Sequence, residues 1–197
     1  VDDQVHRDAR LDRPRIAAGA ENTGNSPEEL AADGFAVLEI TLSGYGIDAV
    51  LKDERQPMTY TLRYDGKIIE NQSAAIKGRG NYTWRDFDKK PYRLKFDEKA
   101  EPLGMSKSKH FTLLAHADDD LGFLRNTVGF ELSRRLGLAF TPAQEPVEVV
   151  LNGDYIGLYF LTEQIRVAKN RVNITEQADY ETDPEAVTGG WLLEIDN

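Results

Sequence analysis

Lys77 to Phe96 reads KGRGNYTWRDFDKKPYRLKF, a glycine-containing loop that runs into a strand. In its last six residues Tyr92, Leu94 and Phe96 alternate with Arg93 and Lys95. That period of two predicts a half-buried strand with a basic outer face. In the loop, Gly78 and Gly80 flank Arg79. Glycines there let the backbone come close to a ligand, while Lys77 and Arg79 add positive charge, a combination that suits phosphate. Neither a GxxxxGK[ST] nor a GxGxxG spacing is present. Between Lys77 and Lys95 seven basic residues accompany two acids, a local +5. The plain alternative is a solvated strand face balanced by neighbouring acids.

Upstream of this stretch, Phe35 to Leu42 (FAVLEITL) is a strand candidate. Thr59 to Tyr64 (TYTLRY) alternates, and Asp65-Gly66 turns it into a second strand from Lys67 to Glu70. Residues 1–34 show no sustained period. They read as a flexible leader with a short helix from Ser26 to Ala32, started by Ser26-Pro27-Glu28-Glu29. Downstream, His110 to Ala115 predicts a strand that ends at Asp118-Asp119-Asp120. A helix over about Asp119 to Leu136 follows, stopped by Gly137, with Leu121, Leu124, Val128 and Leu132 along one face. Arg125 lies on that stripe, and a charge facing inward needs a partner. Val147 to Leu151 and Tyr155 to Leu161 surround Asn152-Gly153, a strong hairpin signal, and Glu163 closes the second strand. Gly189 to Asp196 (GGWLLEID) is a last strand candidate. The order predicts an α+β fold, an antiparallel sheet with one long packed helix.

Composition narrows the function. The 197 residues carry a net charge of −10 and are 40% hydrophobic, enough for a globular core and unlike a disordered or collagen-like chain. The acidic balance argues against nucleic acid as a partner. No run approaches the roughly 18 apolar residues that a transmembrane segment needs. Without cysteine there are no disulfides, thiolate metal sites or Cys nucleophile. His6, His110 and His116 lack metal-ligand spacing and read as surface or cap residues. The charge is also segregated, with seven acids and no Lys or Arg from Val172 to Asn197.

A glycine loop, a lysine-bearing strand, a helix with an inward charge and a hairpin ending in an acid follow one another as in the N-lobe of a protein kinase. More specifically, KGRGNYTW, DKKPYRLKF, KSKHFTLLAHADDDLGFLRNTVGFELSRRLGL, PVEVVLNGDYIGLYFLTEQI, RVNI and GGWLLEIDN resemble the spore-coat protein H (CotH) kinase family, over about Ala74 to Asn197. The resemblance implies an atypical protein-kinase-like N-lobe spanning 35–197. It also implies use of ATP with a divalent metal (Mg or Mn) to phosphorylate Ser in secreted, coat or surface proteins. An extracellular or cell- or spore-surface location follows from the same likeness.

Carried over residue by residue, Arg79 and Gly80 match the family's RG loop. Lys90, before the strand tyrosine Tyr92, is the first choice for the phosphate-binding lysine, and the mid-strand Lys95 the second. Arg125, with Asn126, matches the helix RN pair, as a ligand- or acid-facing residue or a structural ion pair. Glu131 is a weaker candidate for the helix acid that pairs with the lysine. Glu163 matches the acid ending the second hairpin strand, where a kinase hinge would meet adenine or ribose; a turn or capping acid is the alternative. The family's two later motifs, which supply a transfer Asp and a metal-holding Asp, would fall beyond Asn197. Asp118 to Asp120 and Asp196 do not match them. The expectation is therefore the nucleotide-binding part of a longer kinase domain, with no catalytic or metal residue inside this chain. The alternative is a non-enzymatic surface or coat module that binds a protein partner.

Overall fold

Alternation decides the strands. In a computed structural model that describes residues 26–42, 50–120, 123–176, 180 and 182–187, seven strands form: β1 (Val37–Leu42), β2 (Gln56–Tyr64), β3 (Lys67–Gly78), β4 (Tyr92–Ala100), β5 (Ser108–Leu114), β6 (Gln144–Leu151) and β7 (Asp154–Glu163). Every second residue points inward, so Leu38, Ile40, Tyr60, Leu62, Ile76, Leu94, Phe111 and Leu161 fill one core. Tyr60 stacks on Phe96 with ring centroids 4.4 Å apart, and Phe96 meets Phe111 at 5.2 Å.

Two hairpins are built by the dipeptides that sequence singles out. Asp65 and Gly66 have φ of 48° and 69°, and Asn152 and Gly153 have 51° and 88°. Positive φ at both central residues matches the right-handed twist of the flanking strands. The sheet runs β1-β2-β3-β4-β5-β7-β6 and closes into a barrel. All its ladders are antiparallel except the closing one, where β1 pairs parallel with β6 from Val37↔Glu148 to Ile40↔Leu151.

Among the described residues four short α-helices decorate the barrel: α1 (Pro27–Ala32), α2 (Tyr82–Asp86), α3 (Leu124–Arg135) and α4 (Pro184–Val187). Ser26 and Glu29 form a reciprocal capping box on α1, as the sequence pattern predicts. Glu28 of α1 is tied to Arg63 of β2 at 2.9 Å. No helix among the described residues is long and apolar enough to cross a membrane.

The barrel corrects the expected α+β kinase-like N-lobe with one long packed helix. A closed barrel seals its own apolar face, so no helix has to cover it. The expected helix from Asp119 is the shorter α3, and it buries no residue. Leu124, Val128 and Leu132, the stripe expected to pack inward, are 54%, 62% and 54% exposed. The partly buried side is instead Asn126, Phe130 and Ser133, with Ser133 bonded to Thr141 and Gln144 donating to Thr127. Leu121, most of the leader and the candidate strand Gly189 to Asp196 lie outside the described residues.

One ion pair is buried almost completely. Glu163, at the end of β7, meets Arg171 at 3.0 Å, their side chains 3% and 1% exposed. Its carboxylate also accepts from the amides of Ser106 and Ala143. Arg171 donates to the carbonyls of Asn170 and Ser106. The pair thereby ties the loop after β7 to the loop before β5. Removing one partner strands the other charge, so Glu163→Ala should cost about 3–5 kcal/mol in urea unfolding. Glu163→Leu combined with Arg171→Met should recover much of that loss. A single-variant cost below about 1 kcal/mol would show that the pair does not hold these loops.

Candidate functional site

The loop after β3 is shaped by its own side chains. Gly78 leaves room for the Trp84 indole, because a Cβ there would lie 2.4 Å from the ring. Gly80 has φ 76°, and its added Cβ would stand 2.4 Å from the Thr83 hydroxyl. Both glycines let α2 fold back on the loop. The Arg79 amide donates to the Pro91 carbonyl (3.1 Å), fixing the loop against the start of β4.

At this end of the barrel lies a cavity of about 210 Å³, lined among others by Arg79, Thr83, His116, Asp118, Asp119 and Arg125. The Arg79 Nε is buried and without a hydrogen-bond partner among the described residues. Burial first, and then the nearby Arg93, lower the Arg79 pKa from its ordinary value. Across the cavity Arg125 lies 3.6 Å from the Asp118 carboxylate and donates to the Asp118 carbonyl at 3.2 Å. The Asp119 carboxylate accepts from the Arg125 amide at 3.0 Å, in the first turn of α3. Asn126 completes that wall.

His116 forms the floor with φ 48°, a strained value for a non-glycine residue. Its ring meets Phe160 and Phe123 edge-on at 5.1 and 6.0 Å, and its Nε2 is buried without a partner among the described residues. Behind it Lys89 donates to the Leu158 carbonyl and sits over the rings of Tyr159 and Phe123 at 4.7 and 5.2 Å. Burial lowers the Lys89 pKa. Neither His116 nor Lys89 stands out in sequence as a site residue. Only contacts between distant segments place His116 in the cavity lining and Lys89 near it.

Of the residues expected from sequence, Arg79 and Arg125 line this cavity, with Gly80 in the adjoining turn. The others lie elsewhere. The Lys90 ammonium donates to the Trp84 carbonyl at 2.5 Å and rests over that indole, anchoring the end of α2. Lys95 points outward from β4, and Glu163 is held by Arg171. Glu131, on α3, pairs with Arg135 at 2.7 Å on the solvent side. Among the described residues no group of three His, Asp or Glu could hold a metal ion.

Two guanidinium groups line the cavity, one of them with a buried Nε that has no partner among the described residues, and such a donor set suits an oxyanion. A family model described as CotH kinase protein matches residues 76–192, more than half of the chain and the segment that contains this cavity. No curated protein matches the chain.

The cavity's charge can be read out at His116. Burial lowers its pKa from the ordinary 6.5, against the opposing pull of Asp119 and Asp118, while Lys89 and Arg125 lower it further. The folded protein therefore keeps this imidazole neutral at pH 7, and as pH falls below 6.5 the unfolded chain takes up the proton first. His116 accordingly subtracts stability on acidification. An anion in the cavity favours the protonated ring, so saturating pyrophosphate should raise the His116 midpoint in an NMR titration. An unmoved midpoint would mean that the cavity takes no anion.

Proposed function

The chain belongs to the CotH kinase family, and from that premise we propose that the cavity between Arg79 and Arg125 receives the phosphate groups of a nucleotide used in phosphoryl transfer to protein serine. The observation that carries this reading is Arg79, whose buried Nε has no partner among the described residues while its side chain lines the cavity. A phosphate chain would meet both guanidinium forks, replacing the unmet hydrogen bonds of the first. Thr83 adds a hydroxyl to the same wall.

The volume of about 210 Å³ is below the roughly 300–1,000 Å³ of pockets that enclose a whole drug-sized ligand. It suits the phosphate end of a nucleotide, with the nucleoside outside. ATP bound with a divalent metal would supply the transferable phosphoryl group and neutralise its charge. The residues described here fit the phosphates but do not by themselves form a metal site, because Asp118 and Asp119 are already engaged by Arg125. The substrates of this reading are secreted, coat or surface proteins.

Calorimetric titration with ADP tests the reading. Hydrogen bonds to charged groups are worth about 1.5–3 kcal/mol, so Arg79→Ala and Arg125→Ala should each weaken ADP about tenfold or more. Lys90→Ala should instead loosen α2, lowering the melting temperature with a smaller loss of affinity. Unchanged ADP affinity in Arg79→Ala would overturn the assignment.

A further inference from the structure

The outer face of β3, β4 and β5 carries cations that the fold does not neutralise. Ladder pairing sets Lys77 opposite Arg93, and Lys95 between Ala75 and His110. Their in-between neighbours Ile76, Leu94 and Phe111 are buried in the core, so these side chains share the outward face. None of Lys77, Arg93, Lys95, Arg55 or Arg166 forms an ion pair among the described residues. This is unexpected in a protein of net charge −10, where acids to pair with are plentiful. Like charges placed directly opposite on a sheet destabilise it, as Lys77 and Arg93 are here. An anionic partner would offset that cost.

His110 lies within the same field. Its pKa is lowered to about 4 by burial first, and then by Arg166, Arg55, Lys95 and Lys109. Every charged group named there is a cation. The field also reaches the cavity, since Arg93 acts on Arg79.

We infer that this face is a docking surface for an acidic, extended stretch of a partner polypeptide. Alternate side chains of an extended chain recur about every 7 Å, the same spacing as Arg93 and Lys95 on β4, so carboxylates two residues apart can meet both. A single-stranded nucleic acid is the weaker fit. The outward positions Ala75, Lys77, Arg93, Lys95 and His110 offer no Phe, Tyr or Trp ring for base stacking. The overall negative charge also opposes a long polyanion. That the docked polypeptide is the one phosphorylated rests on the kinase reading; that it docks does not.

The test uses the full chain without nucleotide, so its outcome is independent of the cavity's role. Fluorescence anisotropy is followed with a short labelled peptide of alternating Glu and Ser, an alternating Lys and Ser control, and an oligothymidylate. The acidic peptide should bind, the basic one should not, and affinity should fall with rising NaCl. Lys77→Glu combined with Lys95→Glu should weaken binding by roughly tenfold or more. Lys77→Arg combined with Lys95→Arg should retain it, which separates lost charge from lost structure. Equal binding of both peptides, no binding of the acidic one, or affinity unmoved by charge reversal would overturn the surface. Tighter binding of the oligothymidylate would overturn the peptide assignment.

Discussion

The structure depends on the closure of the sheet. The parallel ladder between β1 and β6, running from Val37 to Ile40 on one side and Glu148 to Leu151 on the other, joins the first described strand to the last described hairpin. An open sheet would leave two rows of unpaired amides and carbonyls and an apolar face seeking a cover. Closure removes both needs. The inward residues of seven strands satisfy one another, and what lies outside is released from core packing.

That release explains where the polar chemistry sits. The cavity is built on the rim, where β3 ends, β4 begins and β5 gives way to the loop before α3. Rigid strands position it, while loops supply Arg79 and His116 and the first turn of α3 supplies Arg125, a division of labour common to binding sites. The Glu163–Arg171 pair serves a different purpose. It is buried and fully hydrogen-bonded through its carboxylate, and it joins loops at the other end of β7. A buried acid that looks like a ligand contact in sequence is thus a structural tie, since its charge is already answered inside the protein.

The local signals in the sequence were legible because they act over a few residues. The period of two in TYTLRY and PYRLKF, the Asp65-Gly66 and Asn152-Gly153 turns and the Ser26 capping box all correspond to observed elements. What period alone does not reveal is which strands meet. Barrel closure is a contact between residues more than a hundred positions apart in the chain, which no local period encodes. The same holds for the orientation of α3. Its leucine stripe has helical spacing, but spacing says only that the residues share a face, not that a partner exists for it. Phe123, with φ 69° and no capping side chain, begins the helix later than the acids at 118–120 predict. For the site, Arg79 and Arg125 stood out through their motifs. His116 did not, because a histidine's role depends on neighbours such as Phe160 that the chain brings in from far away.

The charge pattern follows from the same closure. On an open sheet one face of β4 would be buried and the other solvated; in the barrel the outward face is the only one available to Arg93 and Lys95. The fold could have balanced them with acids from the neighbouring strands, as it balances Arg63 of β2 with Glu39 of β1. Instead the ladder aligns cation with cation and leaves Arg79 next to Arg93 at the cavity mouth. Over the roughly 8–10 Å within which charges act in salt solution, an approaching anion senses this cluster rather than the net −10. An acidic protein can therefore present an anion-attracting surface. Its selectivity comes from how close the cations lie to one another, not from their number.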